Sequence, residues 1–92
     1  MANRRIIKKN INGLMGDVIE ECYMELLSNP GKNEIEINAI IDEAVDVADN
    51  LIAKTNNLKN IKDRKAMKLH FHKISTELEE KAIGFITKLN AL

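Results

Sequence analysis

Aromatic residues, cysteine and long apolar runs are all scarce in this chain of 92 residues. Aromatics make up 3% of it, as Tyr23, Phe71 and Phe85, so we expect a core built from Ile, Leu, Val, Met and Ala. A single cysteine, Cys22, excludes an internal disulfide framework and suits a reducing compartment. No segment approaches the roughly 18 uninterrupted apolar residues of a membrane span. Because lysines and asparagines also interrupt the N-terminal segment before it reaches signal-peptide length, we expect a cytoplasmic protein with no membrane segment.

Catalytic and cofactor motifs are also missing. The chain has no glycine-rich phosphate loop, no EF-hand spacing and no Glu-x-x-His element of di-metal bundles. Ser28 and Ser75 lie outside any nucleophile motif, and Cys22 has no neighbouring histidine or basic group that would activate it. We therefore predict that the protein is not an enzyme and binds no cofactor.

Two polar segments divide the chain into three parts. The first is "SNPGKN" (28–33), where Pro followed by Gly ends a helix, and the second is "TNNLKN" (55–60). We predict one domain over residues 1–92, with helices over roughly 3–28, 33–55 and 60–90. Short connections favour antiparallel neighbours, so the expected fold is all-α, an antiparallel up-down-up three-helix bundle.

Apolar residues recur at spacings of three and four in every part, as expected for helices that each bury one face. The predicted seams are Ile7, Ile11, Leu14, Val18 and Cys22 in the first helix, Ile37, Ile41, Ala44, Ala48 and Leu51 in the second, and Met67, Phe71, Ile74, Leu78, Ala82, Phe85 and Leu89 in the third. The middle helix is apolar over the widest arc, which predicts that it packs against both of the others.

Three local features leave alternatives open. Asn33 and Glu36 have the spacing of a capping box at the start of the second helix. The run "EIEIN" (34–38) also alternates like a strand, although a lone strand would have no partner here. Gly13 and Gly16 predict a helix break, a close backbone approach or a simple local weakness in the first helix.

The net charge is zero, but charges of one sign are grouped along the chain. Residues 1–12 carry +4, residues 13–49 carry −9 and residues 50–73 carry +6. The simpler interpretation is that oppositely charged helices lie side by side and screen each other. The alternative is a basic surface for an acidic partner.

Two basic clusters make nucleic acid the candidate partner for such a surface. Basic side chains at the start of a helix oppose the helix dipole, and their placement there suggests contact with phosphates. The zero net charge and the absence of aromatic residues between the basic ones argue against this alternative. The candidate polyanion contacts are Arg4, Arg5, Lys8, Lys9, Lys59, Lys62, Arg64, Lys65 and Lys68.

His70 and His72 are the two histidines of the chain. On a helix they point about 200° apart, so one helix cannot bring both to the same metal ion. We expect each to flank the core on one side of Phe71. The acidic residues Asp42, Asp46 and Asp49 share an outward helical face, for which we favour solvation or salt bridges over a bound cation.

Apolar side chains that lie outside the predicted seams indicate self-association. Leu69 and Ile83 project away from the third seam, and the apolar C-terminal tail suggests that a second copy covers it. The leading hypothesis is therefore a non-enzymatic helical interaction module that forms a homodimer; the alternative is a nucleic-acid-associated accessory protein. The candidate interface residues are Leu69, Ile83, Phe85, Leu89 and Leu92.

Overall fold

The computed structural model describes residues 3–59 and 61–92. They form three helices: α1 (Arg4–Ser28), α2 (Glu34–Asn56) and α3 (Arg64–Asn90). No strand occurs in these two described ranges, and "EIEIN" lies within α2. The predicted all-α fold of three helices is confirmed.

Ion pairs between α2 and α3 give the relative direction of these helices. Lys54 Nζ lies 3.0 Å from a Glu77 carboxylate oxygen, and Lys88 Nζ lies 3.4 Å from Glu43 Oε2. The later residue of α2 therefore contacts the earlier residue of α3, so the two helices are antiparallel.

Helices α1 and α3 point the same way. Arg4 lines one surface depression with Arg64, and Leu14 lines another with Ile83. Both helices thus begin at one end of the bundle, which is a rod of 51 × 17 × 17 Å. Each helix packs against both of the others.

The buried seams follow the predicted ones, with shifts of one position. Met15 is buried in place of Leu14, and Ile40 joins the seam of α2, where Ala48 is half-buried. In α3 the ends of the seam, Met67 and Leu89, are half-buried and pack against the core. The buried apolar core comprises Ile7, Ile11, Met15, Val18, Cys22, Ile37, Ile40, Ile41, Ala44, Leu51, Phe71, Ile74, Leu78, Ala82 and Phe85.

One buried residue of α2 is polar. Thr55 is fully enclosed, and its hydroxyl donates to the Leu51 carbonyl oxygen at 2.8 Å. Because this bond satisfies the hydroxyl, Thr55 can continue the seam beyond Leu51 without the cost of an unpaired polar group.

The capping box predicted at the start of α2 is wrong. Asn33 has φ 56° and its side chain makes no capping bond. A capping side chain requires an extended backbone, and the tight turn that includes Gly31, with φ 82°, instead delivers Asn33 in the left-handed conformation. The Glu34 carboxylate closes the turn by accepting from the Gly31 N–H at 2.9 Å.

The predicted start of α3 is also wrong. Residue 60 lies outside the described residues, but residues 61–63 are not helical and α3 begins at Arg64. Asp63 has an extended backbone, and its carboxylate accepts from the Ala66 N–H at 2.7 Å. This cap places a negative charge at the N-terminus of the helix dipole, beside the basic side chains of the first turn.

Helix α1 runs unbroken through Gly13 and Gly16. A Cβ atom added at either position would meet no other atom within 4 Å. The structure therefore excludes both a break and a close backbone approach, and leaves the local weakness in helix propensity.

Candidate functional site

The two histidines lie on different surfaces, as their spacing predicts. His70 is half-buried between α2 and α3, and its Nε2 atom donates to the Lys54 carbonyl oxygen at 2.8 Å. That carbonyl belongs to the last turn of α2 and also accepts from the Asn57 N–H at 3.3 Å. His72 is exposed. His70 thus serves as a link between helices, which sequence spacing alone could not identify.

Side chains suited to metal binding do not converge in the part of the chain that the structure describes. Within residues 3–59 and 61–92, no three His, Cys, Asp or Glu side chains are placed to hold a metal ion. The predicted acidic face of Asp42, Asp46 and Asp49 is exposed along α2. Burial, together with the nearby Glu21 carboxylate, raises the pKa of the Cys22 thiol above its ordinary value of 9.0. A raised pKa keeps this thiol protonated and unreactive at neutral pH.

The outward surface of α3 carries the clearest candidate for contact with another molecule. Leu69 is 54% exposed and Ile83 is 68% exposed, with the exposed Thr76 midway between them. At 100° per residue these three positions fall within about 40° of one another. We call Leu69, Thr76 and Ile83 the outer stripe; it lies roughly opposite the buried seam.

The remaining interface candidates differ in accessibility. Phe85 is only 4% exposed and Leu89 is half-buried against the core, so both make their contacts within the chain. Leu92 is 43% exposed. The C-terminal half of α3 is therefore covered on its inner side. The prediction of an uncovered end assumed shorter neighbours, whereas α1, with 25 residues, nearly matches the 27 residues of α3.

A shallow apolar depression adjoins Ile83 between α1 and α3. The half-buried Leu14 and Ile86 form part of it, and the carboxylates of Asp17 and Glu21 lie along its edge. Leu14 was predicted for the core, but its side chain lines this groove, and the neighbouring Met15 is buried in the core instead. The groove gives Ile83 apolar neighbours, which an isolated exposed side chain would lack.

Two further apolar side chains protrude near the α1–α2 turn. Leu27 is 80% exposed and Ile35 is 84% exposed. On a helix, Ile35 points about 160° away from Ile37 of the seam.

The basic clusters of residues 4–9 and 59–68 meet at one end of the rod. Asn3 and Arg4 at the start of α1 line the same depression as Lys62 and Arg64 at the start of α3. We call this region the basic end. The ion pairs of the described residues, Lys54–Glu77 and Lys88–Glu43, involve none of its predicted polyanion contacts.

Charge is therefore segregated along the rod. The segment that carries −9, residues 13–49, comprises the second part of α1, the α1–α2 turn and most of α2, which lie away from the basic end. Among residues 3–59 and 61–92, direct ion pairs between helices are limited to the two that join α2 and α3. The separation could have been foreseen, since an up-down-up bundle starts its first and third helices at the same end.

No helix found in residues 3–59 and 61–92 is both long and apolar enough to cross a bilayer. Comparisons with protein-family models, with curated proteins and with solved structures found no match for this chain.

Proposed function

We propose that this protein is a non-enzymatic helical interaction module that binds a second copy of itself to form a homodimer. The observation that carries the proposal is the outer stripe, with Leu69 and Ile83 more than half exposed on one face of α3. Exposed apolar groups scattered singly are ordinary. Here two large aliphatic side chains align on one helix, and one of them adjoins the groove of Leu14 and Ile86.

Physical size supports association. A chain of 92 residues buries a smaller fraction of its surface than a larger domain does, so its stability as a monomer is modest. Removing one aliphatic side chain from water contributes up to about 1.5–3 kcal/mol, and a two-fold interface counts each contact twice. We also propose a cytoplasmic location, because a buried cysteine without a disulfide partner suits a reducing compartment.

The test is to place charge on the proposed interface. Leu69→Glu combined with Ile83→Glu should convert a dimer into a monomer in sedimentation at micromolar concentration, with the helical circular-dichroism signal retained. The matched control is Leu27→Glu combined with Ile35→Glu, which adds the same charge to two apolar residues near the α1–α2 turn that are even more exposed. A wild-type protein that sediments as a monomer throughout this range would refute the proposal, as would equal loss of dimer in both variants.

A second candidate function rests on the basic end. The two basic clusters are separated by some 50 residues in sequence, yet Arg4 and Arg64 line one depression. Lysine and arginine side chains from two helix starts and the preceding loop can contact successive phosphates without reading bases. We propose, as the alternative, a nucleic-acid-associated accessory protein that uses this end.

Salt dependence of binding tests this alternative. A labelled oligonucleotide should bind the wild-type protein with a log Kd that rises linearly with log salt concentration. Lys62→Glu with Arg64→Glu should weaken binding and reduce the slope, whereas Lys81→Glu with Lys88→Glu, outside the basic end, should have a smaller effect. Equal losses in the two variants would show that net charge, not the basic end, determines the binding.

A further inference from the structure

The outer stripe has an internal symmetry. Leu69 lies seven residues before Thr76, and Ile83 lies seven residues after it. Seven residues are close to two helical turns, so the stripe has the spacing by which two helices contact each other along their length. From Leu69 to Ile83 it extends about 21 Å at 1.5 Å per residue.

Charges beside the stripe differ in sign on the two sides of Thr76. Before it come the exposed Lys65, Lys68 and Lys73, and after it come the exposed Glu79 and Glu80. Neither ion pair between α2 and α3 uses any of these five side chains. They therefore remain available to an external partner.

We infer that the second copy lies antiparallel on the first, α3 against α3, with the two-fold axis passing beside Thr76. This inference rests on the proposed self-association and specifies its geometry. Each Leu69 then faces Ile83 of the second copy, since the two positions are equally far from the axis. Lys73 lies within about 1.5 Å of the height of Glu80 of the second copy, and at 100° per residue both side chains are on the same side of the stripe.

Electrostatics selects the antiparallel direction. A parallel pairing in the same register would set Lys73 level with Lys73 and Glu80 level with Glu80 of the second copy, and would leave Lys73 and Glu80 on opposite sides of the contact. The antiparallel pairing instead brings each Lys73 beside Glu80 of the other copy. It also sets the basic end of one rod beside the acidic part of the other, and aligns the helix dipoles in opposite directions.

The outward surface of α3 has ridges and grooves of the kind that pack against another helix. Leu69 and His72 each line two depressions, one on either side, so they stand on a ridge. Ile83 likewise lines the groove of Leu14 and Ile86. Ridges that fit into neighbouring grooves are the usual basis of helix packing. Leu69 of one copy is thus placed to reach the groove beside Ile83 of the other.

Site-directed crosslinking tests the direction. Leu69→Cys protein mixed with Ile83→Cys protein should form a disulfide-linked dimer under oxidised glutathione, and Thr76→Cys protein should crosslink to itself. Leu69→Cys protein alone should not, because its two thiols would lie about 21 Å apart along the axis. Wild-type protein is the control for background, since Cys22 is buried and its thiol pKa is raised.

Charge reversal tests the register independently. Lys73→Glu alone and Glu80→Lys alone should each raise the dimer Kd by about 5-fold at low salt, since two symmetry-related pairs become repulsive. The double variant should recover an affinity near that of the wild type, whereas Lys73→Glu with Lys81→Glu should not.

The outcomes separate the two proposals. A wild-type monomer in sedimentation would overturn the proposed function, and the inference with it. A dimer in which Leu69→Cys crosslinks to itself would leave the function intact and overturn the antiparallel direction. A dimer without crosslinks at any of the three positions, or without recovery in the double charge variant, would overturn the register.

Discussion

The inner and outer faces of α3 are both apolar at regular spacing, but they have different surroundings. The inner face, with Phe71, Ile74 and Phe85, is buried against α1 and α2. The outer stripe has the same periodic character with about half of its apolar surface in water. Helical periodicity thus identifies an apolar face of a helix. The positions of the other helices decide whether that face is buried within the chain.

The two faces also differ in their polar neighbours. At the inner edges, Lys54 and His70 connect α3 to α2 through an ion pair and a hydrogen bond. Beside the outer stripe, Lys73 and Glu79 have no comparable contact among the described residues. The inner face is joined to the other helices by apolar and polar contacts, whereas the outer stripe is apolar without polar contacts of this kind among the described residues. Four sets of substitutions measure this difference.

The largest effect is expected at the inner face. Phe71→Ala removes a buried aromatic side chain and should lower the free energy of unfolding by about 3–5 kcal/mol, because the cavity cannot refill completely. Leu69→Ala, two positions away on the outer stripe, should change it by less than about 0.5 kcal/mol at concentrations where the protein is monomeric. Urea denaturation of both variants checks the contrast. Equal losses would show that the faces are wrongly distinguished.

Gly84→Ala should have a smaller and opposite effect. Gly84 is exposed within α3, and a Cβ atom there would meet nothing within 4 Å. Alanine should therefore raise the free energy of unfolding by about 1 kcal/mol through its helix propensity. Gly31→Ala is the control, since Gly31 has φ 82° and an alanine there is strained despite the open space. Thermal denaturation should move the two midpoints in opposite directions.

Substitutions at the two histidines allow a direct comparison between an inner edge and the outer surface of α3. His70→Ala removes the donor to the Lys54 carbonyl and should cost about 0.5–1.5 kcal/mol, the usual range for one hydrogen bond. His72→Ala, on an exposed residue of the same helix, should lie within about 0.5 kcal/mol of the wild type in the monomer. Urea denaturation at low protein concentration measures both. A larger loss in His72→Ala would reverse the assignment of linking and surface roles.

Much of this fold could be predicted because the seams have a helical period that no strand pattern matches over such lengths. The one-position shifts within the seams could not be predicted from the same pattern. Leu14 and Met15 are adjacent and both apolar, and only the position of α3 decides that Leu14 faces the groove beside Ile83. A periodic pattern specifies an arc of the helix, whereas the choice between neighbours within that arc depends on where the other helices lie.

Turn chemistry was harder to predict for a similar reason. Asn33 suits a helix cap and also tolerates a left-handed backbone, and the chain path through the preceding turn determines which property is used.

At the candidate surfaces, exposure of Leu69 and Ile83 followed from their angle to the seam. The burial of Phe85 was missed among the interface candidates, although it belongs to that same seam. The contact of His70 with Lys54 depends on the termination of α2 at Asn56, which periodicity does not locate.

The smallest expected effect concerns the ion pair at the edge between the two faces of α3. The side chains of Lys54 and Glu77 are 49% and 37% exposed, so water screens their attraction and their fixed geometry costs side-chain entropy. Glu77→Gln should therefore lower the free energy of unfolding by only about 0.2–1 kcal/mol, and less at high salt. Lys54→Met tests the same pair from its other side, and the double variant completes a thermodynamic cycle. A coupling energy well above 1 kcal/mol would mean that this edge contributes to stability as the buried seam does. Lys54 and Glu77 would then belong to the inner face of the contrast.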